Sequence, residues 1–177
     1  VGLGTGMLPV AIRAQTHSEF SAKPYRVKPF KLEEATISAL QAEMQSGKAN
    51  AVSLTKAYLA RIEELDRRGP TLRAVIETNP DALAIARALD QERKTKGPRS
   101  TLHGIPIVLK DNFDTFDLPT TGGSVLLEGS IPPDDAFVVK KLRDAGAIIL
   151  AKVNMSEFAS GAALSSLGGQ TLNPHDL

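Results

Sequence analysis

The 177-residue chain has the length of one domain, and its 42% hydrophobic and 23% charged residues are those of an ordinary globular protein. A net charge of +1 gives no basic field for nucleic acid. Cysteine is absent, which excludes a disulfide framework and thiolate metal sites, and His17, His103 and His175 lie too far apart to match a metal-binding spacing.

Residues 1–15 are mildly apolar and glycine-rich, too short and interrupted to span a bilayer. They read as the apolar core and small-residue end of a signal peptide without its basic start, with Ala14 closing it. That reading implies an exported or periplasmic protein, with a cytoplasmic one as the alternative. Two other readings stay open: a strap-like or disordered N-terminus, and a dinucleotide loop from Gly2, Gly4 and Gly6, which no strand precedes. Residues 16–35 carry Lys23, Arg26, Lys28 and Lys31 with Pro24 and Pro29, and read as an extended linker. Residues 36–177 read as one domain.

Within that domain Thr36 caps a first helix, with Ile37, Leu40 and Met44 on one face and Gly47 at its end. A second helix starts near Ser53, carries the stripe Leu54, Tyr58, Ile62 and Leu65, and stops at Gly69-Pro70. Met44 and Tyr58 read as core. Arg73 to Thr78 reads as a strand centred on Val75 and Ile76. Asn79 caps a third helix with Pro80 first, Asp81 in its first turn and Leu83, Ala86 and Leu89 inward. The charged run from Gln91 to Arg99 reads as a solvated helix end, with an anion site as the alternative.

From Leu102 to Asn112 the residues are Leu-His-Gly-Ile-Pro-Ile-Val-Leu-Lys-Asp-Asn. The apolar, mostly β-branched run predicts a short buried strand, with Pro106 near its start because proline cannot donate to a ladder. Lys110 follows at the carboxyl end, where α/β sheets bind ligands. An amine dehydrated there loses its proton more readily and can serve as a general base. The alternative is a hydrated, charged lysine at the end of a strand. Thr120 to Ser124 forms a small-residue turn that lets backbone approach a ligand. Ser124 lacks the nucleophile-elbow pattern and is not read as a nucleophile. Asp134 caps a fourth helix with Phe137, Val138 and Leu142 inward; Gly146 ends it, and Ala147 to Leu150 forms a buried strand. Strand, helix and strand in this order imply parallel pairing. Lys152 and Glu157 read as surface residues, and Ser165 and Ser166 as loop residues.

These segments together resemble the amidase signature family. Leu102 to Pro106 leading to Lys110-Asp111-Asn112 is similar to the family's lysine segment. Asp134 to Leu142, Asp144 to Ala147 and Lys152 to Phe158 are similar to the helix, strand and loop that follow. Gly169 to Pro174 resembles the lead-in to the serine loop. Leu54 to Asp66 and Pro70 to Leu83 resemble the peptide amidase branch. The resemblance implies an α/β fold: the N-terminal part of a mixed sheet surrounded by helices. It also implies a serine–cis-serine–lysine triad with Lys110 as the base. Backbone at Ala159 and Ser160 would line the site for a small-molecule or peptide amide, and no cofactor or metal is implied. Both triad serines are expected beyond Leu177, so this chain alone is expected to be inactive. Alternatives are an amidotransferase subunit that supplies ammonia from glutamine, and a non-catalytic module. Exposed strand edges would favour a homo-oligomer.

Overall fold

The computed structural model describes residues 25–161 and 163–175. The expected signal segment therefore lies outside the described residues, as do residues 16–24 of the linker. Helix α1 spans Ile37–Gln45, and Thr36 Oγ1 accepts from Ala39 N at its start. Leu40 and Met44 are buried on its inner face, whereas Ile37 is exposed. Helix α2 spans Ala51–Ile62 and opens with a capping box between Asn50 and Ser53. The Asp90 carboxylate also accepts from Ala51 N and Val52 N, at 2.8 and 3.1 Å. It satisfies two otherwise orphaned helix donors from the neighbouring helix. After α2 the chain widens into a π-helical turn over Glu63–Arg68, closed by Gly69 N donating to Glu64 O at 2.8 Å.

Strand β1 spans Val75–Thr78. Its start is fixed by the buried Asp66 carboxylate, which accepts from Ala74 N at 2.6 Å and Val75 N at 3.2 Å. Helix α3 spans Ala82–Lys96 and begins later than the sequence suggests, with Asp81 at its N-cap. Asn79 instead forms a turn in which its Oδ1 accepts from Asp81 N. Its Nδ2 donates to Ile149 O and fastens that turn to the sheet.

Strand β2 spans Pro106–Lys110, helix α4 Phe137–Asp144 and strand β3 Ile148–Val153. The sheet order is β1-β3-β2, with β3 antiparallel to β1 and parallel to β2. A two-residue hairpin of β4 (Leu164–Ser165) and β5 (Gly169–Gln170) follows. The mixed sheet and the parallel β2–β3 crossover through α4 match the expected architecture.

Helix α4 corrects two expectations. It starts at Phe137, with Ala136 as N-cap and no side-chain cap, so Asp134 does not cap it. Asp135 instead accepts from Phe116 N and pairs with Arg143. Phe137 and Val138 are exposed; Val139 is the buried residue, with Leu142 partly buried beside it. The inward stripe is therefore one step along the helix from the one expected at Phe137 and Val138.

Strand β3 is the centre of the core. One cluster joins Ile148 and Leu150 to Ala51, Ala82, Ala86 and Leu89 of α2 and α3. Another joins Ile149 to Leu109, Leu118 and Val139. The β2–β3 register steps from Ile107↔Ile149 to Val108↔Ala151, so Leu150 is an extra residue in β3. That step reverses the alternation of faces beyond it. Lys152 thus pairs with Leu109 and shares the face of Ile149, away from α2 and α3. Among the described residues no helix is long and apolar enough to cross a membrane.

Candidate active site

Lys110 ends β2, on the opposite face from Leu109, by the alternation of a strand. Its side chain is exposed in this chain, and among the described residues its amine makes no hydrogen bond or ion pair. The residue after it is in the opposite condition. Asp111 is 1% exposed, its N donates to Val153 O, and its carbonyl accepts from Gly122 N. Carboxylate Oδ2 accepts from Thr121 N at 3.1 Å, Gly123 N at 3.3 Å and the Thr121 hydroxyl. One buried carboxylate therefore gathers the Thr120–Ser124 turn against the strand end that carries Lys110. Gly123 has φ 78°, and a Cβ there would lie 3.0 Å from Ser165 Cβ. Glycine suits both the left-handed backbone and the close approach.

The same turn reaches the Ala159–Ser160 segment. Gly122 O accepts from Phe158 N at 2.9 Å, and Gly123 O from Leu167 N at 3.1 Å. Phe158 and Ala159 are consecutive non-glycine residues at positive φ, 48° and 60°. Such backbone is strained and concentrates at functional sites. Lys110, Ala159 and Ser160 thus lie at one end of the sheet, linked through Asp111, Gly122 and Phe158. A cleft of about 570 Å³ opens beside them, lined by Asp66, Arg73, Glu77, Asp111, Thr121 and Gly168 among others. Lys110, Ala159 and Ser160 do not line it.

Lys152 overturns the surface reading: it is fully buried. Its Nζ donates to Phe113 O (2.9 Å), Pro119 O (3.0 Å), Thr120 Oγ1 (2.8 Å) and Thr115 Oγ1 (3.3 Å). Asp111 Oδ1 stands 3.4 Å away. Burial pulls this amine below the ordinary lysine range, partly offset by Asp111 and, farther off, Asp114 and Asp117. A dehydrated amine suggests a general base, but the surroundings argue otherwise. The two threonine hydroxyls already donate elsewhere, Thr115 to Leu118 O at 2.9 Å and Thr120 to Phe113 O at 3.1 Å, so every neighbouring polar atom turns lone pairs to Nζ and a deprotonated amine would lack a donor. Lys152 is a fixed cation. Sequence reasoning missed it, although a lysine ending the apolar run Ile148–Ala151 was a visible oddity.

Glu157 also has a structural task. Its Oε2 accepts from Ser166 N at 3.0 Å. Hydrogen bonds from Ser124, then from the Ser166 side chain and backbone, hold its carboxyl below the usual range. Ser165 Oγ donates to Asn154 Oδ1 and accepts from Gly168 N, so it serves the hairpin, as its loop reading implies.

Comparison with known proteins fits this geometry. The chain is 44% identical over 144 residues to a glutamyl-tRNA(Gln) amidotransferase subunit of Streptomyces coelicolor, covering 80% of this chain and 28% of that one. It superimposes on the peptide amidase of Stenotrophomonas maltophilia with TM-score 0.80 and 49% identity, over 82% of this chain and 31% of the other. An amidase family protein of Bacillus anthracis gives TM-score 0.75 and 43% identity, over 80% and 29%. The chain thus spans under a third of the length of each of these relatives. The Amidase family model matches residues 53–177, and with the mixed sheet and the Lys110 segment in place, the chain belongs to the amidase signature family.

Proposed function

We propose that the complete polypeptide carrying this segment hydrolyses amide bonds, with Lys110 as the base of a serine–cis-serine–lysine triad. The observation that carries this reading is the placement of Lys110 in a member of this family. It sits at the carboxyl end of a parallel strand, on backbone fastened by Asp111 and linked through Gly122 to the strained Phe158–Ala159 loop. A serine hydroxyl becomes an effective nucleophile only with a base in hydrogen-bond reach. Lys110 would supply that base once the serine-bearing polypeptide covers its exposed amine and removes its water. The 177-residue segment alone is then inactive.

The substrate is a linear amide or a peptide C-terminal amide, a reading supported by the 49% identity to peptide amidase. The second reading is a glutamine-dependent amidotransferase subunit, favoured by the 44% identical Streptomyces coelicolor relative. Export, read from residues 1–15, would oppose it, because charged tRNA is cytosolic; cell fractionation decides that point. The enzymatic test is ammonia release by the complete protein from a peptide C-terminal amide and from glutamine, each with and without a co-purified partner. Turnover of the peptide amide by the protein alone supports the hydrolase. Turnover of glutamine only with a partner supports the amidotransferase.

A further inference from the structure

The cage around Lys152 has more built into it than packing requires. Two backbone carbonyls, two hydroxyls and a carboxylate, drawn from the 111–120 stretch, surround one ammonium. The loop they belong to is anchored from its far side as well. Arg143 of α4 pairs with Asp117 at 2.5 Å and Asp135 at 2.9 Å, and lies over the Phe116 ring at 4.9 Å. The carboxylate that faces Lys152 belongs to the residue next to Lys110. Its two oxygens are used differently. Oδ2 takes all the hydrogen bonds from Thr121 and Gly123, while Oδ1 has no hydrogen-bond partner among the described residues and meets only the Lys152 charge.

That division has a structural consequence. A buried carboxylate with one bare oxygen keeps its place only while a compensating charge is near. Without the Lys152 ammonium, Asp111 would turn its bare oxygen toward another donor. That change weakens its hold on Thr121 N and Gly123 N, which fix the turn behind Lys110. The register step at Leu150 is what brings Lys152 to this face of the sheet.

We propose that Lys152 is a positioning residue for Lys110: its caged ammonium holds the Asp111 carboxylate, and through Asp111 the backbone from which the Lys110 amine projects. This inference rests on the amidase reading of Lys110. Lys152 touches no substrate and exchanges no proton; it sets where the base stands.

The test uses the complete protein with Lys152→Ala, which removes three methylenes and the amine, the outline of propylammonium. A displacement of about 1 Å at a reacting group can cost about 100-fold, so kcat is expected to fall by about that factor while KM changes less than about twofold. Propylammonium in the buffer restores most of kcat, and 1-propanol, of the same shape without charge, does not. Equal restoration by both, or an unchanged kcat, would overturn the proposal, because the site would then need only volume. Restoration by neither would overturn it too. Amide hydrogen exchange at Thr121 and Gly123 is read in parallel: protection is lost in Lys152→Ala and returns with propylammonium only. This arm is independent of turnover, so it still reads the cage if the complete protein proves not to be an amidase. Should Lys152→Ala fail to fold, Thr120→Val carries the test. It removes the hydroxyl 2.8 Å from Nζ and leaves the charge. A several-fold loss of kcat at constant KM supports the cage, and an unchanged kcat overturns it.

Discussion

Lys110 and Lys152 are the same residue type on neighbouring strands of one sheet, one register position apart, yet they live in opposite surroundings. Lys110 ends the outer strand β2 and is exposed; Lys152 lies in the central strand β3 and is fully enclosed. What separates them is the neighbourhood of each strand. β2 has a partner on one side only, whereas β3 is flanked by β1 and β2 and covered by the helices and the 113–120 loop. The comparison teaches that burial alone does not identify a base. The buried amine here is surrounded by acceptors and must stay protonated. The exposed one has no protein partner among the described residues and is free to acquire one from additional polypeptide.

The sharpest way to break this contrast is to truncate each lysine in turn in the complete protein. Lys110→Ala is expected to lower kcat/KM on the order of 10⁴-fold, as removal of a member of a catalytic unit does. Its stability in denaturant should fall by no more than about 1 kcal/mol, because a base kept dehydrated for its chemistry adds little to stability. Substantial amide turnover in that variant would end the assignment of the base. Lys152→Met should do the reverse for stability. It leaves the 1%-exposed Asp111 carboxylate without its counter-charge, and breaking a buried pair in this way costs about 3–5 kcal/mol. A urea midpoint unmoved from wild type would show that Asp111 does not need the ammonium.

A smaller effect is expected at the other outer strand. Asp66→Ala removes the carboxylate that receives Ala74 N and Val75 N at the start of β1. Hydrogen bonds to a charged group contribute about 1.5–3 kcal/mol each at most, and the two share one carboxylate, so a total loss of about 2–3 kcal/mol is expected. The loss should appear in thermal unfolding while amide turnover by the folded fraction stays within about twofold of wild type. A large drop in kcat would mean that the β1 edge, and not only the β2 edge, belongs to the site.

How much of this was legible in the sequence follows the range of the interactions involved. The first two helices were readable because their punctuation is local: Thr36 at one start, Gly47 and Gly69 as stops. The β2 strand and the position of Lys110 at its end were readable because Pro106 and an apolar run fix them within five residues, but its expected burial was not met: at the sheet edge only Leu109 is buried and Val108 is exposed. Helix α4 was misread because Phe137 and Val138 are large and apolar but sit on the outer face. The helix begins at Phe137 rather than at an Asp134 cap, and a small change of phase moves the buried stripe to Val139. Lys152 was misread for a different reason. Its face depends on an extra residue in β3, and its partners lie 32 to 41 positions earlier in the chain. No local pattern in the sequence carries either fact.

The loop beside the open side of the contrast should also respond to acid. Glu157 lies in the loop next to Phe158 and Ala159, and hydrogen bonds from Ser124 and Ser166 hold its carboxyl below the ordinary range. A carboxyl with a lowered folded value stabilises the loop fully above the unfolded value of about 4.3. That stabilisation is lost as pH falls through the folded value, when Oε2 takes a proton and releases Ser166 N. The ¹H–¹⁵N signal of the Ser166 amide should therefore titrate at a pH below about 4.3, and Glu157→Gln should abolish that titration. A Ser166 amide that titrates at the ordinary glutamate value, or one that still titrates in Glu157→Gln, would show that the Ser124 and Ser166 hydrogen bonds do not hold the Glu157 carboxyl. The strained Phe158–Ala159 backbone would then lack this anchor beside it.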